Sequence, residues 1–348
     1  MAGKRVTKPK PVRAPKAREG GRTRKISRRE VLKAGVVTAV LTRTAKAAAS
    51  SVYLIRTTDR VEGIKRGLAT LGLPSARGKR AVIKPNFNSA DEFPASTHLD
   101  TLGALIRHLR DGGAREVFVA DRSGMGDTRG VMQRKGVFDQ AKQMGYQAVV
   151  LDETPIEGWT EERLPGSHWS RGVLFPVLFQ QADPLIQTCC LKTHRHGGHF
   201  TLSLKNSVGM VAKYSPRDNY NYMRELHSSS FQRQMIAEIN QLYRPAMLVM
   251  DGLEAFTDGG PDSGTLVKPQ VMVMGTDRVA VDAVGVAILR LHDGNETISR
   301  GRVFDQEQIA RAVQLGLGAK GPEQIDIVTD DRESKKLADR VRQILVRA

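Results

Sequence analysis

From Val52 to Val328 short apolar runs alternate with segments of helical periodicity. This alternation constrains the fold more than any other feature of the 348-residue chain. The runs at 52–56, 81–84, 117–120, 148–151, 173–179, 185–191, 247–250, 271–274 and 325–328 are short and largely aliphatic, as in strands buried on both faces. Helical spacing fills 61–71, 97–109, 130–144, 230–242, 279–291 and 306–315 between them. Over 97–109, Leu99, Leu102, Leu105, Ile106 and Leu109 share one face, with Thr97 as N-cap and Gly112-Gly113 as the stop. The pattern predicts one α/β domain over 52–330, a largely parallel sheet with flanking helices, followed by a charged C-terminal helix over 331–348. Residues 192–227, rich in His, Gly, Ser, Asn and Tyr, show no period and are expected as a long irregular segment over the sheet edge.

In sheets of this type ligands sit beyond the carboxyl ends of the strands. Lys84, Asp121, Lys192, Asp251 and Gly275 each close a predicted strand. If the strands run parallel, these five residues converge on one edge.

Ahead of the domain, Ser27-Arg28-Arg29-Glu30-Val31-Leu32-Lys33 precedes an apolar run over 34–41 and the small-residue tail Ala45-Lys46-Ala47-Ala48-Ala49. A twin arginine in this layout reads as a twin-arginine export signal over 27–49, cleaved after Ala47 or Ala49. The expected partner is the twin-arginine translocation machinery, and the expected location is periplasmic or otherwise extracytoplasmic. The alternative reading is a short buried helix behind a basic tail. The apolar run falls short of the roughly 20 residues that span a bilayer, so no permanent membrane anchor is expected. Residues 1–26, rich in Lys, Arg and Pro, read as a disordered leader.

The formal charge of +17 first suggests nucleic acid as a partner. Residues 1–50, however, hold 15 Lys and Arg against 2 acids, so +13 of the excess lies there and +4 in the rest. With few aromatic residues for base stacking, nucleic-acid binding is excluded. The two cysteines are the adjacent pair Cys189-Cys190, which cannot hold an iron–sulfur cluster alone, and no Cys-x-x-Cys pair exists.

The densest chemistry lies in Cys189-Cys190-Leu191-Lys192-Thr193-His194-Arg195-His196-Gly197-Gly198-His199, continuing to Lys205-Asn206. Neutral imidazoles and thiols are ligands for a transition metal, so His194, His196, His199, Cys189 and Cys190 form a candidate metal set. The competing readings are histidines facing solvent and cysteines acting as small core residues. Lys192 and Lys205, with Lys84 facing the loop, suit a carboxylate or phosphate beside glycine amides. Asp121 opens a glycine-rich turn before a helix, but its GxGxxxG spacing is not that of a dinucleotide site, and an ordinary turn fits better.

Taken together, Lys84-Pro85-Asn86, Asp121 with its turn, Leu191-Lys192-Thr193-His194, the run from Thr201 to Gly209, Asp251-Gly252, Gly259-Gly260-Pro261 and Gly275-Thr276-Asp277-Arg278-Val279-Ala280-Val281-Asp282 resemble the domain of unknown function 362 family over roughly 52–330. Many relatives carry an attached ferredoxin-like cluster, which implies redox work. This chain has no such cluster, and has Cys189-Cys190 where the family commonly has Pro and Lys.

The reading that follows is an exported protein that binds or converts an anionic small molecule. Lys84, Asn86, Asp121, Lys192, Thr193, Lys205 and Asn206 are the candidate ligand-binding residues. His194 is the candidate acid, base or metal ligand, oriented by Asp251. The alternatives are a redox or metal-carrying partner of an electron-transfer system and a non-catalytic binding module.

Overall fold

The protein, seen in a computed structural model, is described over residues 49–347 except Met125. The leader and, but for Ala49, the twin-arginine segment lie outside the described residues. No helix among the described residues is long and apolar enough to cross a membrane.

The strands are β1 (Ser50–Arg56), β2 (Arg80–Lys84), β3 (Glu116–Asp121), β4 (Gln147–Val150), β5 (Trp159–Glu162), β6 (Val173–Pro176), β7 (Leu185–His194), β8 (His199–Thr201), β9 (Met247–Gly259), β10 (Gly264–Val267), β11 (Val271–Gly275) and β12 (Ile325–Val328). The main sheet runs β12-β1-β11-β9-β7-β2-β3-β4, with β8 added to β7 and β10 to β9, while β5 and β6 form a separate pair. Along this order β12–β1, β9–β7, β7–β2, β2–β3 and β3–β4 are parallel. Only β11 runs against both of its neighbours. The fold is therefore α/β with a mostly parallel sheet.

The apolar runs split cleanly between the two faces, as a period of two requires. Val52 and Leu54 of β1 and Val271 and Val273 of β11 enter one core with the helix Arg278–Leu291. Tyr53, Ile55, Met272 and Met274 enter the opposite core beneath the helices Arg60–Leu71 and Leu99–Asp111. The C-terminal helix Arg332–Val346 adds Ala338, Val341, Ile344 and Leu345 to the first of these cores.

Several expectations change in detail. The helix expected over 130–144 is two helices, Thr128–Arg134 and Val137–Met144, separated by Gly136 in the left-handed region (φ 74°). The run 173–179 leaves the strand at Pro176 and closes as one helical turn, Val177–Gln180. Residues 192–227 are ordered into secondary structure: β7 runs on to His194, β8 pairs back onto it, and the turn Ser203–Asn206 and helix Tyr222–Ser228 follow. Because β11 is antiparallel, Gly275 lies beside Leu248 at the start of β9, the opposite end of the sheet from Asp251. It does not join the other four, of which Lys84 and Asp121 end their strands while β7 and β9 run past Lys192 and Asp251 to His194 and Gly259.

Candidate functional site

Parallel pairing of β2 and β3 sets Lys84 and Asp121 side by side at the carboxyl edge. Lys84 Nζ lies 2.7 Å from Asp121 Oδ1, with both side chains almost wholly buried. The same Nζ donates to Asn206 Oδ1 (3.0 Å) and to the carbonyl of Pro85 (2.5 Å). Asp121 accepts from the backbone N–H of Phe87 (2.6 Å) and of Arg122 (2.7 Å). Asn206 in turn donates to the Thr188 carbonyl (2.9 Å), and Asn86 Nδ2 donates to Asn206 Oδ1 (3.4 Å). Burial pushes Lys84 down and Asp121 up, and their pairing opposes both shifts. Every member of this floor has a partner, the condition under which a buried ion pair is tolerated.

The turn carrying Lys205 and Asn206 is held by an acid that sits far away in the sequence. Asp282, wholly buried on the helix Arg278–Leu291, accepts from the backbone N–H of Ser203 (2.8 Å) and of Leu204 (3.0 Å). Burial raises Asp282 to about 7 against the pull of these bonds. Asn240 donates to the Leu204 carbonyl from the other side (3.1 Å). The loop before it is tied down by Gln232 to the carbonyl of His196 (3.3 Å) and Arg233 to that of Gly197 (2.9 Å).

Above the floor the accounting changes. Lys205 is 8% exposed and makes no hydrogen bond or ion pair among the described residues. Burial first, then the charges of Lys192 and Arg122, lower it to about 7. The hydroxyl of Thr201, also buried, has no partner. His194 Nδ1 accepts from the backbone N–H of His196 (3.2 Å), which leaves the proton on Nε2. Burial and then Lys205 and Lys192 push His194 well below the usual imidazole range, so the ring is neutral.

These groups line one cleft. An inner recess of about 40 Å³ is bordered by Lys84, Asp121, Asn206, Thr201 and Gly209. It adjoins an outer cavity of about 500 Å³ bordered by His196, His227 and Gln232. Asn88, Gly124, His194, Lys205 and Pro261 line both, which puts Lys205 and His194 at the neck. Two glycines keep the cleft open by close approach. A Cβ on Gly209 would lie 2.8 Å from Lys84 Nζ and 2.7 Å from Asp121 Oδ1. One on Gly198 would lie 2.5 Å from Lys205 Cε and 3.2 Å from His194 Nδ1.

The other sequence-predicted residues divide. Lys192 lies beneath the cleft, donating to Asn86 Oδ1 (3.3 Å) and to the Ala95 carbonyl, and burial lowers its pKa. Thr193 donates to the Phe256 carbonyl (3.2 Å) and ties β7 to β9. Asp251 does not orient His194. It pairs with Arg60 (2.8 Å), accepts from Thr101 (2.6 Å) and so fastens β9 to the helices on the other face. Arg195 is spent on Asp262 (2.8 and 2.9 Å).

The candidate metal set does not assemble. Cys189 belongs to the core around the helix Arg278–Leu291, and Cys190 is wholly buried. Burial raises the first thiol well above its usual range and the second to about 11, outweighing the nearby Lys192. His199 lines a separate cavity with Gln306 and Glu307. Among the described residues no three His, Cys, Asp or Glu side chains are grouped so as to hold a metal ion. The glycine turn after Asp121 is closed as well: Asp127 caps the helix Thr128–Arg134, accepting from Gly130 N–H (2.5 Å), where a bound phosphate would sit.

Sequence reasoning missed Arg122, Thr201, His227 and Gln232. Arg122 is buried with its guanidinium on the carbonyls of Val211 (2.9 Å) and Val208, and adds a cation without a carboxylate of its own. His227 was hidden because it reaches the cavity from a helix 33 residues beyond His194.

Residues 81–287 match the family described as domain of unknown function (DUF362), and the chain belongs to that family. No curated protein matches it. Among solved structures, the lactate racemase apoprotein from Thermoanaerobacterium thermosaccharolyticum is similar at 15% identity and a TM-score of 0.41. The likeness covers 66% of this chain and 55% of that one, so the chain spans little more than half the length of that structure.

Proposed function

We propose that the protein binds an anionic small molecule in the cleft between the Lys84–Asn206 floor and the Lys205–His194 neck. One observation carries this reading. Lys84, Arg122, Lys192 and Lys205 are buried close to the recess, and Asp121 is the one carboxylate bordering it among the described residues. Burying cations without carboxylates is costly, and an anion repays that cost. The ligand's charged group meets Lys205 Nζ, the Thr201 hydroxyl and His194 Nε2–H, and the rest of the molecule occupies the outer cavity. The preferred form is an enzyme in which His194 also handles a proton, since its neutral ring presents one N–H to the ligand.

Inorganic phosphate and small carboxylates test the binding. At a concentration 100 times Kd, a bound anion adds about 2.7 kcal/mol to the unfolding free energy. Lys205→Met removes the gain. An equal gain in wild type and Lys205→Met contradicts the assignment.

We infer further that the protein acts outside the cytoplasm, on the strength of Arg28-Arg29 and the small-residue tail ending at Ala49. Fractionation of cells expressing the full chain and its Arg28→Lys/Arg29→Lys variant tests this. Wild type is expected cleaved and outside, the variant uncleaved and inside; equal partitioning contradicts export.

A further inference from the structure

We propose that Lys205 is a nucleophile that forms an imine with an anionic carbonyl compound, such as a 2-oxo acid, a role that rests on the anion-binding reading of the same cleft. Three buried lysines lie close together, and the geometry separates one of them. Lys84 Nζ is held by Asp121, Asn206 and the Pro85 carbonyl. Lys192 Nζ is held by Asn86 and the Ala95 carbonyl. Only Lys205 stands at the neck with its amine unengaged among the described residues, bordering both the recess and the outer cavity. Gly198 leaves its methylene chain the space to stand there, since any Cβ would collide with Lys205 Cε. An ammonium serves to hold an anion, but a structural lysine in such a place would be expected to carry a carboxylate partner.

The surroundings keep the amine in its reactive form. Burial together with Lys192 and Arg122 brings Lys205 to about 7, so free amine is abundant at neutral pH. The fixed cations then take over the anionic group of the carbonyl compound. In the step itself the Nζ lone pair adds to the carbonyl carbon, and the C–O π pair moves onto oxygen. A proton passes from nitrogen to that oxygen, giving a carbinolamine. The oxygen then takes a second proton from a neighbouring donor and leaves as water while the C=N bond forms, and the proton remaining on nitrogen replaces the one that donor gave. In the net balance both hydrogens of the neutral amine end on the water, and nothing is oxidised or reduced. His194 and Lys205 both border the recess and the outer cavity, and with Nδ1 taken by the His196 N–H, Nε2–H is the proton His194 has to offer the departing oxygen.

Glyoxylate, the smallest aldehyde that bears a carboxylate, tests this with cyanoborohydride to reduce the imine. At pH 7.5, with few equivalents of reagent, peptide mapping is expected to place the secondary amine at Lys205 at least ~10-fold faster than at exposed Lys268, as its lower pKa implies. Lys205→Arg loses this adduct and retains slow surface labelling. In wild type the Lys205 labelling rate rises as pH increases through about 7, a readout that needs no variant. Inorganic phosphate slows labelling at Lys205 and leaves Lys268 unaffected. Labelling confined to exposed lysines overturns the imine. If phosphate still stabilises wild type and not Lys205→Met, anion binding stands without the imine chemistry. If phosphate neither stabilises nor protects, both readings fall.

Discussion

Lys84 and Lys205 line the same recess, yet one is fully paired and the other is not. The floor around Lys84 satisfies its cation with a carboxylate, an amide oxygen and a carbonyl. At the neck Lys205, a buried residue, makes no hydrogen bond or ion pair among the described residues, and in the recess the Thr201 hydroxyl is buried without a partner. A polar group kept buried and unpaired in a folded protein calls for an explanation, and a ligand that completes it is one. On the proposed reading the floor is architecture and the neck meets the ligand, and substitutions at matched positions separate the two.

The largest effect is expected at the floor. Lys84→Met leaves Asp121 buried and uncompensated and should cost about 3–5 kcal/mol in urea unfolding. Lys205→Met removes a cation that has nothing to lose, and should leave the ligand-free protein as stable as wild type or more so. Similar losses for both variants would dissolve the distinction.

The glycine pair gives the next contrast. Gly209→Ala drives a methyl group into the Lys84–Asp121 pair, which neighbours on every side hold in place, and should destabilise by about 1–3 kcal/mol. Gly198→Ala meets the movable end of Lys205 instead. It should change stability little and weaken anion binding about tenfold, equivalent to about 1.4 kcal/mol. Calorimetric titration and urea unfolding of both variants separate the two outcomes.

The neck also carries a pH signature. Lys205 holds its proton more weakly when folded (about 7) than the ordinary 10.5 of the unfolded chain. Between those values the unfolded chain binds more protons, so this group's contribution to stability rises with pH, by at most about 1.4 kcal/mol per unit. The contribution is complete above the unfolded value and is lost as pH falls toward 7. The difference between wild type and Lys205→Met should therefore slope upward from pH 7 to 10.5, and parallel curves would remove Lys205 as its source. Anion affinity should move the opposite way, falling as the amine loses its proton. The smallest effect is expected at Arg195, whose pairing with Asp262 is partly exposed: Arg195→Ala should cost about 0.2–1 kcal/mol and leave anion binding unchanged.

Much of this contrast was legible in the chain. The strand-ending positions of Lys84 and Asp121 followed from apolar runs of strand length, while β7 runs two residues past Lys192 to His194, and the motif around it pointed to His194 and Lys205. Gly275 was misplaced because an apolar run does not record strand direction, and β11 is the strand that reverses. Asp251 was misassigned for a related reason. It lies beside Cys190 inside β9, which runs on to Gly259 instead of ending there; which face its side chain takes depends on packing, and Arg60 and Thr101 come from helices distant in sequence. The histidine cluster misled because spacing alone does not fix direction: His199, with φ 60°, begins a strand that lines a different cavity, while His227 arrives from elsewhere. Asp282, which fixes the turn bearing Lys205, was visible only as part of the segment resembling the family, with no sequence signal that it reaches Ser203 and Leu204.

Unfolding by urea at pH 6.5, for wild type and Lys205→Met with and without inorganic phosphate, tests the surplus of buried positive charge most directly. The expected result is a variant at least as stable as wild type without phosphate, and a gain from phosphate in wild type alone. A variant that is less stable without phosphate, and gains from it as much as wild type does, would contradict the anion site at Lys205.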